Sequence, residues 1–133
     1  EAETDIPTGY PAQFQTWLNA NYAAGLTVDG LWGPKTKSGA IRALQTELNA
    51  QFGKGLSVDG IWGSKTKAAC VNVRRGNLTR IIQGRLYCMG YDPQGFDGIF
   101  GSGCKAAVER YQANKGLSAD GIVGRNTWAA MLG

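Results

Sequence analysis

The chain has 133 residues, 43% hydrophobic and 18% charged, with a net charge of +4 and a pI near 9.1. This is the balance of a globular protein, and no apolar run approaches the length of a membrane span, so no membrane partner is expected. The positive charge favours an anionic partner, but Lys and Arg are spread along the chain rather than massed on one helix, which argues against nucleic acid.

In chain order, Glu1-Ala2-Glu3 looks like the remnant of a yeast secretion leader. Residues 1–9 are therefore set apart as an N-terminal tail, and a secreted, extracellular protein is expected. From Phe14 to Ile41 and from Leu44 to Val71 the sequence matches itself at an offset of 30. Gly25-Leu26-Thr27-Val28-Asp29-Gly30-Leu31-Trp32-Gly33 returns as Gly55-Leu56-Ser57-Val58-Asp59-Gly60-Ile61-Trp62-Gly63. The second half repeats more loosely, with Gln83, Leu86 and Asp97 lying 38 residues after Gln45, Leu48 and Asp59. Asp-Gly-aliphatic-x-Gly thus occurs four times, beginning at Asp29, Asp59, Asp97 and Asp120. A fixed period of this kind means that one supersecondary unit is stacked. The copies group as two pairs, 10–72 and 73–133, divided near Val73-Arg74-Arg75-Gly76-Asn77. Each half is close to the smallest size that folds unaided, so the halves are expected to pack together. A monomer is expected.

Each unit reads as helix, turn, helix. Phe14, Trp17, Leu18 and Tyr22 recur at helical spacing, as do Ile41, Leu44, Leu48 and Phe52. Pro34 suits the first position of a helix. The expected fold is mainly α: two compact three-helix subdomains built from four helix–turn–helix repeats. In each turn the Asp is expected to bond its own following backbone and the Gly to take positive φ. The aliphatic residue at Leu31, Ile61, Ile99 and Ile122 is expected to plug the core beneath the turn. One carboxylate per loop is too few for calcium, and no cofactor is implied. Three cysteines leave at least one unpaired. A Cys70–Cys88 bridge stapling the halves is expected, with small buried thiols as the alternative. Cys104 stands where the other loops carry Thr36, Thr66 and Thr127. Asn77-Leu78-Thr79 is an N-glycosylation sequon.

These residues carry a family resemblance. Gln83-x-x-Leu86, Asp97-Gly98, Ala106-Ala107-Val108, Tyr111-Gln112 and Gly116-Leu117-x-x-Asp120-Gly121-Ile122-Val123-Gly124-x-x-Thr127-Trp128 resemble the helical peptidoglycan-binding domain of bacterial cell-wall hydrolases. Residues 80–132 look like one complete copy and residues 11–72 like a second, more divergent one. Cys104 and the Trp17/Glu47 mismatch are departures from the pattern. The tandem form also resembles modules of secreted bacterial and fungal lytic proteins, some of which are muramidases of a recently defined glycoside hydrolase family. The resemblance implies bacterial peptidoglycan glycan strands as partner. It leaves two functions open: the catalytic core of a muramidase, or a non-catalytic wall-binding module of a larger lytic enzyme.

The chain contains no histidine. Ser-His and Cys-His nucleophilic pairs are therefore excluded, as is a zinc held by histidines. Any cleavage of peptidoglycan must use carboxylates, and the bond suited to them is glycosidic. Setting aside the acids of the tail and the turns leaves Glu47, Asp92 and Glu109. Glu109, flanked by Arg110, reads as a solvated helix face. Glu47 replaces the aromatic of its repeat mate Trp17 among apolar neighbours, where a raised pKa would suit a general acid. Asp92 or Asp97 would be the second carboxylate. Trp32, Trp62, Phe100 and Tyr91 are candidate platforms for sugar rings, and Lys35, Lys65, Arg74 and Arg75 candidate contacts for wall anions.

Overall fold

A computed structural model describes residues 9–73 and 76–133. Six helices and no strand occur among the described residues: α1 Tyr10–Tyr22, α2 Pro34–Phe52, α3 Ser64–Ala69, α4 Asn77–Cys88, α5 Ser102–Asn114 and α6 Arg125–Leu132. The fold is mainly helical, as expected. Helices α1–α3 and α4–α6 each enclose two of the Asp-Gly loops, so each middle helix serves two repeats. Arg74, Arg75 and residues 1–8 of the tail lie outside the described residues.

The four loops share one construction. The Asp Oδ1 accepts a hydrogen bond from the backbone N–H two residues on, at 2.9 Å for Leu31, 3.0 Å for Ile61, 2.9 Å for Ile99 and 2.9 Å for Ile122. The following glycines take φ of 75°, 71°, 77° and 72°, a left-handed turn that a side chain would oppose. The closing glycines Gly33, Gly63, Gly101 and Gly124 are extended and cap the next helix.

Beneath each loop lies a glutamine. Gln15, Gln45, Gln83 and Gln112 are each 1% exposed. Gln45 shows the pattern. Its Oε1 accepts from the N–H of Asp59 (3.1 Å) and Gly60 (3.0 Å), while its Nε2 donates to Asp59 Oδ1 (2.9 Å), Ile61 O (3.1 Å) and Thr66 Oγ1 (3.1 Å). One buried amide thereby satisfies loop groups that would otherwise lose water without a partner. Gln15 and Gln112 also reach a threonine, Thr36 at 3.1 Å and Thr127 at 3.0 Å. Gln83 does not, because Cys104 replaces that threonine; its Nε2 keeps only Asp97 Oδ1 and Ile99 O.

The loop side chains point the opposite way from expectation. Leu31, Ile61, Ile99 and Ile122 are held out, 42–69% exposed. It is the next residue that faces inward: Val123 is fully buried, and Trp32, Trp62 and Phe100 pack half-buried against the core. The reason is the hydrogen bonding of the aliphatic residue. Its N–H is turned to the Asp and its C=O to the Gln, which leaves its side chain facing solvent.

One continuous hydrophobic core runs through both halves. Helices α1 and α4 pack antiparallel, with Tyr10 stacked on Tyr87 at one end (centroids 4.2 Å apart). Midway, Gly84 lets α4 approach Phe14; a Cβ there would run into the ring. Arg85 of α4 crosses to the first half, its guanidinium 3.9 Å from the Trp32 ring centroid, and its Nε donates to Met131 O at 2.7 Å.

The expected Cys70–Cys88 bridge is not made, and all three cysteines are free. Cys70 turns back into its own helix and donates to Thr66 O at 3.3 Å, while Cys88 ends α4 near Arg85. Burial pushes the thiols up, to about 12 for Cys70, about 11 for Cys88 and about 12 for Cys104. They are the inert packing thiols of the alternative reading.

Replacing Gln45 with Leu should cost about 3 kcal/mol in a urea titration, because two backbone N–H groups and three oxygens lose their buried partner. Cys104→Thr should supply the missing third bond of Gln83 and raise stability by about 1 kcal/mol.

Candidate functional site at the junction of the two halves

The acid that breaks the repeat symmetry lies where the halves meet. Glu47 projects from the C-terminal half of α2 toward the end of α1 and the start of α4. Its Oε2 accepts from the Tyr22 hydroxyl at 2.6 Å and from Asn77 Nδ2 at 3.0 Å, and its Oε1 accepts from Gln51 Nε2 at 2.8 Å. Trp17, the repeat mate of Glu47, stands edge-on to Tyr22 at 5.1 Å and to Phe96 at 5.8 Å. Arg80 lies over Phe96 at 5.2 Å and is close enough to act on both Tyr22 and Asp97. Tyr22 and Asn77 entered the sequence reading only as a helix position and a sequon, and Arg80 and Phe96 not at all; none of the four was a candidate for this site. The available signal was Tyr22 itself, a tyrosine where its repeat mate is the exposed Phe52.

The electrostatics differ from those of a general acid. Burial pushes the Glu47 carboxyl up, but the bonds from Tyr22, Gln51 and Asn77 outweigh it and hold the group below its ordinary value. Burial first, then the Glu47 carboxylate, pushes the Tyr22 hydroxyl far up. At neutral pH the cluster is therefore an ionised carboxylate capped by a protonated tyrosine, beside a cationic Arg80. It can accept hydrogen bonds and stabilise positive charge; it holds no carboxyl group with a raised pKa.

Of the two expected second carboxylates, the structure brings one near. Asp97 shares the N-terminal end of α4 with Glu47: Gly76 N donates to Gly98 O at 2.9 Å, and Gly98 packs on the Arg80 stem. Asp97 is nevertheless locked into its loop, and the bonds from Ile99 and Gln83 hold it below its ordinary value. Asp92 lies beyond the other end of α4, beside Tyr87, where its Oδ1 accepts from Gln94 N at 2.8 Å. The 12 residues of α4 span ~18 Å, against the ~5–9.5 Å between paired glycosidase carboxylates.

The aromatic candidates are dispersed. Trp32 has one face covered by Arg85, and Trp62 lies against the C-terminal Gly133. The Tyr91 hydroxyl accepts from Asn114 Nδ2 at 2.7 Å, with its ring edge-on to Tyr111. Phe100 lines a cleft beside the fourth loop. Lys35 and Lys65 are exposed. In the sequon, Asn77 is committed to Glu47 and Thr79 is buried.

Because Glu47 is held below its unfolded value, its contribution is present above the ordinary carboxylate range and lost as pH falls through the folded pKa. Glu47→Gln should therefore lower Tm at pH 7, by an amount worth about 1 kcal/mol given the solvent access of the site. The difference from wild type should shrink as pH is taken below about 4, which thermal melts across pH 3–7 would read.

Comparison with known proteins places this architecture. Residues 75–131 match the family model described as "Putative peptidoglycan binding domain". The chain is 32% identical over 114 residues to the N-acetylmuramoyl-L-alanine amidase CwlL of Bacillus licheniformis, an alignment covering 81% of this chain and 31% of the relative. It is 47% identical over 57 residues to the "Uncharacterized protein FadG" of Bacillus subtilis (strain 168), covering 42% of this chain and 10% of that protein. A Kitasatospora aureofaciens protein, "Uncharacterized protein in bpoA1 3'region", is 40% identical over 57 residues, 42% of this chain and 48% of its own. The chain thus spans less than half the length of these relatives. No solved structure matches. Residues 75–131, a little under half of the chain, are thus similar to the peptidoglycan-binding domain family.

Proposed function

We propose that this chain is a wall-recognition unit that binds the glycan strands of bacterial peptidoglycan in an extracellular setting. The observation that carries this reading is the loop construction. The glutamine-hung Asp-Gly loops of the matched segment 75–131 recur around Gln15 and Gln45 in the first half, each glutamine donating to the loop Asp Oδ1 and to the carbonyl of the following aliphatic residue and accepting from the loop Gly N–H. On this reading residues 10–72 and 73–133 are two copies of one binding module. The net charge of +4 suits an anionic wall. No helix among the described residues is long and apolar enough to cross a membrane.

A second reading, a muramidase cleaving the β-1,4 bond between N-acetylmuramic acid and N-acetylglucosamine, is favoured by one observation. Glu47, the acid that breaks the repeat, is half-buried at the junction with Tyr22, Arg80 and Asp97 around it. In that reading Glu47 is not the proton donor. An ionised carboxylate serves as base or nucleophile, and protonation of the leaving group falls to a different group. The absence of a carboxyl group with raised pKa in the cluster makes binding the better supported of the two. Amidase activity belongs to the longer relative, and a histidine-free chain cannot supply a zinc held by histidines.

Both readings are separated by co-sedimentation with purified Gram-positive peptidoglycan alongside a reducing-end assay, on wild type and Glu47→Gln. The expected result is sedimentation of both proteins with no new reducing ends. New reducing ends from wild type, lost in Glu47→Gln while sedimentation persists, would establish the muramidase instead.

A further inference from the structure

Two clefts in this molecule are copies of one another. The larger, about 780 Å³, is walled by Leu117, Ser118, Asp120, Ile122 and Thr127 of the fourth loop. The smaller, about 390 Å³, is walled by Leu56, Ser57, Asp59, Ile61 and Thr66, the same positions of the second loop. Both volumes fall in the range of small-ligand sites. A surface hollow that recurs at equivalent positions of two halves, whose sequences have otherwise drifted, is a property of the repeat rather than an accident of one loop.

The chemistry of the walls recurs as well. Each cleft presents one aliphatic side chain turned to solvent, Ile122 at 42% and Ile61 at 66% exposed. Each has a serine at its rim, and each holds one cation, Arg125 in the larger and Lys65 in the smaller. Neither cation forms an ion pair or hydrogen bond with another described residue. The aspartates are already engaged through Oδ1 by the buried glutamine and the loop N–H, which leaves Arg125 or Lys65 as the charged group of each cleft available to an incoming carboxylate. The larger cleft is completed by Cys70 and Asn72, just past the end of α3. Helix α3 starts in the smaller cleft and ends at the larger, so the two are held ~9 Å apart along its axis.

We propose that the second-loop and fourth-loop clefts are paired subsites for an N-acetylated saccharide that carries a carboxylate. The isoleucine meets the acetyl methyl or a sugar face, the serine and loop polar groups meet the hydroxyls, and Arg125 or Lys65 meets the carboxylate. A single polymer occupying both clefts gains by effective concentration what either alone lacks. This inference rests on the peptidoglycan reading and locates where the strand sits.

The test uses the full chain and its variants Ile61→Ser, Ile122→Ser, both together, and Leu31→Ser, whose equally exposed side chain lines neither cleft. Because these side chains are exposed, all variants should melt with wild type. In co-sedimentation with purified peptidoglycan, each cleft variant should weaken binding about three- to tenfold and the double variant by more than either, while Leu31→Ser binds as wild type. Arg125→Ala with Lys65→Ala should abolish the preference for a soluble muropeptide over neutral chitotetraose in a competition assay. A double isoleucine variant that sediments as wild type would overturn the cleft assignment and leave the peptidoglycan reading standing. A wild type that does not sediment at all would sink that reading itself.

Discussion

Everything in this molecule hangs on a buried carboxamide. A small helical domain with long loops must satisfy many backbone groups at a dry interface, and none of the six helices among the described residues has a side-chain cap at its N-terminus. The glutamine solves this at each loop, because an amide offers acceptor and donors within one planar group. It fixes the Asp-Gly turn from below and, in three of the four cases, ties it to the threonine on the following helix. The Asp and Gly that dominate the sequence pattern are the visible half of this arrangement. The glutamine is the half that sets loop and helix at a fixed distance.

From that constraint the surface follows. With the aliphatic residue's N–H given to Asp and its C=O to Gln, its side chain has only solvent to face, and the next residue must turn inward. The molecule therefore keeps four aliphatic side chains outside while Trp32 and Trp62 meet Arg85 and Gly133 of the other half. Leaving an Ile side chain in water forgoes roughly 1.5–3 kcal/mol of burial. Of the four positions that carry this cost, Ile61 and Ile122 wall the paired clefts.

The fold was largely legible because repetition and turn chemistry are local. The period of 30, the glycines of positive φ and the Asp side-chain bonds are properties of adjacent residues. What was hidden depended on partners distant in sequence. Gln45 reads as an ordinary polar helix position until Asp59 and Thr66 are brought beside it. The inward or outward sense of Ile61 and Trp62 depends on which carbonyl the glutamine takes, which alternation in a turn does not reveal. The site was legible in part. The broken symmetry at Glu47 marked the junction, yet the prediction of a raised pKa failed because Tyr22 and Asn77 arrive from α1 and α4. Asp92 and Asp97 looked equally eligible as the partner of Glu47, and only the course of α4 separates them. A Cys70–Cys88 staple was unnecessary, since Gly84 on Phe14 and Arg85 on Trp32 already join the halves.

The account makes the loops, rather than the acidic junction, the principal face toward the wall. The measurement that tests this most directly is a backbone chemical-shift map of the isotope-labelled chain titrated with a soluble peptidoglycan fragment. The account predicts saturable shifts concentrated at residues 55–66 and 116–127, with the surroundings of Glu47 little changed. Shifts centred on Tyr22, Glu47, Asn77 and Arg80, or none anywhere at high ligand, would contradict it.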